Sequence, residues 1–213
     1  MTETAAAPDA REEKASILVR AVDWAFDRAV QGVPGTESAA ELAERFRAMD
    51  LEPRERVAKL VRSQAFRTGA TGFAVNLGGL AAMPVAIPAD FASLMFVQMR
   101  MVAAIAMLSG VTDLHDSRVR LLCVACLAGE KILVPLKDMG IAMSVNAAHT
   151  AAAAVSQAAA GQVHAAVGAT LLHKFGHAGA AHFGRALPLV GGVVGGGVNM
   201  AFTWCVGRAA EKL

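Results

Sequence analysis

Apolar residues recur at helical spacing along most of the chain, and long β-branched alternations typical of strands are missing. The first periodic stretch is Ala15–Gln31, with Ile17, Leu18, Ala21, Val22, Ala25, Phe26, Ala29 and Val30 on one side and Trp24 beside them. Gly32, Pro34 and Gly35 end it. Ser38-x-x-Glu41 has the form of a capping box and predicts a short helix to about Met49. Pro53 suits the first turn of the next helix. There Val57, Leu60, Val61, Ala65 and Phe66 form an apolar stripe. Thr68–Ala89 is uncharged for 22 residues, but Gly78, Gly79, Pro84 and Pro88 interrupt it, which predicts a turn. Asp90–Ser109 is the clearest helix, closed by Gly110. Further helices are expected over Ser117–Gly129, over Lys131–Met143 with a break at Pro135, and over the alanine-rich Ala147–Leu172, with breaks at Gly161 or Gly168. A Gly- and His-rich connection, Lys174–Arg185, precedes a glycine-rich hairpin or helix, Leu187–Leu213.

The pattern predicts an all-α, multi-helix bundle in three parts: a disordered tail over 1–14, N-terminal amphipathic helices over 15–52, and a helical domain over 53–213. Composition agrees, with 55% hydrophobic residues and no tyrosine. Ala, Leu and Met, all good helix formers, supply much of that excess.

Charge divides the chain unevenly. Residues 1–67 hold 11 basic and 12 acidic side chains, 23 of the 38 in the whole sequence. The remaining two thirds is set for burial in protein or lipid. The near-balance of signs argues against a nucleic-acid partner. Three cysteines give no disulfide framework and fit a reducing compartment. The polar start MTETAAAPDAREEK has no signal-peptide pattern. The expected place is the cytoplasmic face of the cell membrane, or the cytoplasm.

Two uncharged segments carry the strongest signal. Ala186–Gly207 has 22 residues without charge, and five of the seven from Gly191 to Gly197 are glycine. Each helical glycine costs roughly 1 kcal/mol relative to alanine, so such a helix needs outside support. Gly191/Gly195 and Gly192/Gly196 have the small-x-x-x-small spacing that lets backbones approach closely. Thr68–Ala89 matches this segment in length and lack of charge, and the two are expected to pack together. Asn199, Thr203 and Asn76 would need hydrogen-bond partners there, and Asn76 with Asn199 is one candidate pair.

The helix over 54–67 is basic and amphipathic. Arg54, Arg56, Lys59, Arg62 and Arg67 face one acid, Glu55. That fits a solvated helix face, or a surface for acidic lipid head groups. In the next helix Arg100 sits among hydrophobes. Either it reaches the surface along its aliphatic stem, or it meets an acid from another segment, with Asp113, Asp116, Glu130 and Asp138 as candidates. Met95, Met99, Met101 and Met107 are core, or adaptable lining for an apolar ligand.

The stretches 68–111, 119–133 and 171–213 resemble the EcsC protein family. The resemblance rests on a proline-then-Asp start to a Gln-containing apolar helix. It also rests on a late P-x-x-G-G block followed by Asn and small residues. It covers about 60–213. It implies a bacterial, mostly helical, membrane-associated protein, and it supplies no reaction, cofactor or catalytic residues.

Signals for chemistry are sparse. Cys123-x-x-Cys126 has metal or redox spacing, but it also reads as two small apolar residues on a buried helix. His173 and His177 share a helix face if helical, with His182 near, and make the one metal candidate. No HExxH, GxSxG or P-loop motif occurs. Three functions follow as expectations. The first is a non-enzymatic interaction or scaffold protein with membrane lipid as partner, and a second copy of the chain as a further one. The second is a soluble bundle holding a lipid-like ligand. The third is a metal-dependent hydrolase using the histidines. No cofactor is expected.

Overall fold

The computed structural model describes residues 10–70, 89–132, 157–175 and 188–212. Among them the chain forms seven α-helices and one 3-10 segment. These are α1 (Ala10–Gln31), α2 (Ala39–Arg47), α3 (Pro53–Ala70), α4 (Ala89–Leu108), α5 (Ser117–Ala125), the 3-10 segment Cys126–Ile132, α6 (Gln157–Phe175) and α7 (Pro188–Lys212). An all-α multi-helix bundle is the architecture.

α4 is the centre. Every side chain from Phe91 to Ile105 is buried, so this helix is apolar on all sides because α1, α2, α3 and α7 surround it. Among the described residues it is the one helix long and apolar enough to cross a membrane. Its window Phe91–Leu108 has mean hydropathy 1.8 and is 83% buried within the protein. Met95, Met99 and Met101 are fully enclosed core residues. Gly110 at φ 97° closes the helix, and the amide of Val111 bonds back to the Ala106 carbonyl.

α1 buries Ala21, Val22, Ala25, Phe26 and Ala29 against α4, and it begins at Ala10, earlier than its apolar periodicity. The turn to α2 uses Gly32 and Gly35 at φ 83° and 80°. The capping box forms: the Ser38 amide donates to Glu41 Oε2 at 2.7 Å, and the Glu41 amide to Ser38 Oγ at 3.2 Å.

Three boundaries depart from the sequence pattern, and a fourth settles an open choice. α3 runs on through Thr68 to Ala70, where Thr68 is buried against α7. α5 stops at Ala125, and the chain tightens into the 3-10 segment, broken at Gly129 (φ 68°, ψ −161°). Gly161 and Gly168 sit inside α6 rather than ending it. A Cβ at Gly168 would stand 3.3 Å from that of Ala15, so this glycine lets α1 and α6 approach. Pro188–Lys212 is one continuous helix and not a hairpin.

α3 and α7 run antiparallel. Thr68 meets Thr203, and two turns earlier in α3 Val61 meets Gly207, one turn further along α7. Among the described residues the tightest approach lies at Gly207: a Cβ there would fall 2.5 Å from Val61 Cγ1 and 3.1 Å from Val61 Cβ. Gly191, Gly192, Gly195 and Gly196 all lie inside α7, and their contacts fall outside the described set. Gly207→Ala is expected to cost about 1–3 kcal/mol through overpacking. Urea unfolding measures this, and adding Val61→Ala to Gly207→Ala should return part of the loss. An unchanged midpoint in Gly207→Ala would show that the close approach is not real.

Candidate functional site

The α3–α7 pair is unusual on both of its sides. Inward, it buries polar residues. Outward, it exposes apolar ones.

The buried side centres on Thr203. Its hydroxyl accepts from Gln98 Nε2 at 2.7 Å, lies 2.9 Å from Thr68 Oγ1, and reaches the Asn199 carbonyl at 2.8 Å. Thr68 also reaches the Ala65 carbonyl at 2.9 Å. The two hydroxyls hold two protons for three such contacts, so two can be made at once. Asn199 enters through its backbone carbonyl, and Asn76 lies outside the described residues.

Arg100 lies two residues beyond Gln98 on α4 and is 5% exposed, so it does not snorkel. Its Nη1 donates to the Glu37 carbonyl at 3.0 Å and its Nη2 to Gln64 Oε1 at 3.3 Å, and the guanidinium lies 5.4 Å from the Phe96 ring centre. Neither Asp113 nor Asp116 reaches it, and the side chains of Glu130 and Asp138 fall outside the described residues. Burial pulls this guanidinium below its ordinary value; Glu37 opposes the shift, and Arg67 and Arg45 add to it. The Glu37 carboxylate itself is engaged by Arg45, at 2.6 and 2.9 Å. Arg100 Nε, Gln64 Nε2 and Gln98 Oε1 are buried without a hydrogen-bond partner.

The exposed side departs from the sequence expectation at one residue. Phe66 was expected on the apolar stripe and is 67% exposed. Leu60, Val61, Gln64, Ala65 and Thr68 take the inward positions. Phe66 lies a helical step beyond Ala65, in line with Lys59 and Arg62, both exposed. On α7, Met200 and Trp204 are 41% and 45% exposed, one turn apart. All three exposed large apolar side chains among the described residues therefore belong to this helix pair. Its antiparallel register sets Phe66 and Trp204 at the same height. Arg54 is also exposed. Arg56 turns inward instead, donating to the Met49 and Leu51 carbonyls at 3.2 and 2.8 Å, and pins the α2–α3 turn. Arg67 is exposed and engaged with other groups of the protein.

Beside Trp204, a groove of about 720 Å³ opens between α6, α7 and the 3-10 segment. Leu127, Phe202 and Trp204 give it an apolar lining; Lys174 and Arg208 give it a cationic one, with His173 beside them. The Lys174 ammonium stands 3.8 Å from the Phe202 ring centre. A second groove of about 700 Å³, bordered by Arg54, Val57 and Leu108, shares Arg208. Met95, Met99 and Met101 line neither.

His173 is exposed at the first groove, and His177 and His182 lie outside the described residues. Among the described residues no three metal-ligating side chains come together. Burial pushes the Cys123 thiol up from its ordinary 9.0 to about 12. Burial, and then the neighbouring Cys123, also raises Cys126 well above 9.0. Both therefore stay protonated and inert near neutral pH.

Sequence reading missed the tie between α5 and α1. Arg120 reaches Asp27 Oδ1 at 2.5 Å and Asp23 Oδ1 at 3.2 Å. Nothing in local spacing joins residues 93 positions apart. No family model, curated protein or solved structure matches the chain.

Two outcomes follow. Thr203→Val should destabilise by about 1–3 kcal/mol, because Gln98 loses its acceptor; Thr203→Ser should lose less, both read by urea unfolding. In a thiol assay on the native protein, exposed Cys205 should react, with Cys123 and Cys126 following only on unfolding. An unfolded thiol ionises near 9.0, whereas folded Cys123 holds its proton to about 12. Its contribution to stability is thus complete below pH 9.0 and is lost as pH climbs through that interval.

Proposed function

We propose that this chain is a non-enzymatic, membrane-associated helical protein of the EcsC type, which docks peripherally on an anionic cytosolic leaflet through the outer surface of α3 and α7. The observation that carries this reading is the outward aromatic of α3: Phe66 is 67% exposed while Gln64 and Thr68 are buried. Leaving a phenylalanine in water forgoes roughly 1.5–3 kcal/mol of burial. Lys59 and Arg62, seven and four residues before Phe66, supply the cations that flank an interfacial aromatic. Each basic residue near an anionic surface adds about 1 kcal/mol of attraction. Met200 and Trp204 extend the apolar part of the surface. The burial of α4 supports a peripheral mode over a spanning one, because its apolar length is already used inside the bundle.

Sedimentation with vesicles tests the reading. Binding is expected to phosphatidylglycerol-containing vesicles, to be weak to pure phosphatidylcholine, and to decline with added salt. Phe66→Ser should weaken it by at least about tenfold, the equivalent of 1.4 kcal/mol. Lys59→Glu with Arg62→Glu should weaken it further. Protein that stays in the supernatant with anionic vesicles at low salt would sink the proposal.

A further inference from the structure

α4 is safe inside the bundle only once the bundle is complete. The helix has 20 residues, a length of about 30 Å, which matches the hydrocarbon core of a bilayer. Its window Phe91–Leu108 has mean hydropathy 1.8 and is 83% buried in the finished fold. During synthesis part of that cover is missing. Gln98 meets Thr203 of α7, 105 positions further along the chain. At about 5–20 residues per second, α7 follows α4 by roughly 5–20 s. We infer that Arg100 is a barrier to membrane insertion: its charge keeps α4 out of the bilayer until α7 closes over it. This goes beyond peripheral docking and does not use Phe66.

Three observations converge on that role. The first is position. The midpoint of the window Phe91–Leu108 falls between Met99 and Arg100. A charge opposes insertion most strongly at the centre of a span. Arg100 stands about 12 Å from the nearer end of the window, farther than its stem can carry the guanidinium toward an interface. The second is magnitude. The window holds seven Leu, Ile, Phe and Val side chains. Each shifts the balance toward insertion by about twofold, and together they shift it on the order of a hundredfold. One central arginine takes back about a hundredfold, the equivalent of about 2.7 kcal/mol. A single residue is thus enough to offset the apolar pull of the rest, and the buried amide of Gln98 adds to the barrier. The third is that packing does not demand the charge. The guanidinium donates to the Glu37 carbonyl and to Gln64 Oε1, and its Nε is unbonded. The Glu37 carboxylate is held by Arg45 instead. Replacing buried ionic groups by apolar ones of like volume often leaves stability unchanged.

The experiment is cell-free synthesis of the full chain with inverted bacterial inner-membrane vesicles, followed by flotation through a sucrose gradient in alkaline urea. Urea strips protein that is only docked, aggregates sink, and inserted chains rise with the lipid. The readout therefore does not require a variant to fold. The wild type is expected in the bottom fractions. Arg100→Leu should raise the ratio of floating to sedimented chain by about a hundredfold. Arg100→Lys loses the fork that reaches both Glu37 and Gln64 but keeps the charge. It should stay down with the wild type, which separates a charge barrier from a purely structural role. Arg100→Leu with Leu108→Arg keeps the number of charges and moves one to the end of the window. That pair should float at least about tenfold more than the wild type. Any one of four results overturns the inference: a floating wild type, Arg100→Leu at the wild-type level, Arg100→Lys rising as Arg100→Leu does, or the relocated arginine staying down. Docked protein is removed before the measurement, so failure here and failure of vesicle binding are told apart.

Discussion

Placing Gln98 and Arg100 inside a helix buried on every side is the constraint that orders this bundle. A polar group without a partner in such a place costs about 1–3 kcal/mol, and a charged one more. The neighbours of α4 must therefore turn polar atoms toward it. α7 supplies Thr203, α3 supplies Gln64, and the turn before α2 supplies the Glu37 carbonyl. The answer is partial, since Arg100 Nε, Gln64 Nε2 and Gln98 Oε1 remain unbonded. With Gln64 and Thr68 committed inward, the rotation of α3 about its axis is set. Phe66 is left outside as a result.

This causal order explains what could and could not be read from the sequence. The helices themselves were legible, because periodicity, the Ser38–Glu41 capping box and Gly110 are local signals. Most of the uncharged stretch 68–89, expected to pack on 186–207, lies outside the described residues. The contact observed between them is Thr68 with Thr203, at the first residue of one stretch and deep in the other. The inward face of α3 was legible at Leu60, Val61 and Ala65, but not that Gln64 and Thr68 share it while Phe66 stays outside. A rule that counts apolar residues puts Phe66 in the core, and only the demand from Arg100, 36 positions away, overrides it. Glycine was legible as a sign of close packing. The tightest described approach falls at Gly207, beyond the dense block, because what matters is the residue opposite, and there Val61 stands.

The site was less legible than the fold. The basic residues of α3 look alike in sequence but divide in space: Arg54, Lys59 and Arg62 face solvent, whereas Arg56 is spent on two backbone carbonyls. The groove joins Leu127, Lys174 and Trp204 from three separate stretches, and no spacing rule links them. His173 attracts notice as a metal ligand in sequence, and in space it sits beside Lys174 and Arg208, whose charge would oppose a bound cation.

The inward lock on α3 makes the helix a spindle with its two sides geared together. Hiding Phe66 from water would take a turn of the helix about its own axis. That turn would carry Gln64 off Arg100, Thr68 off Thr203 and the Val61 methyls off Gly207. The exposed aromatic is thus held out mechanically by the interior, and a surface that takes it up has no need to pull it into place.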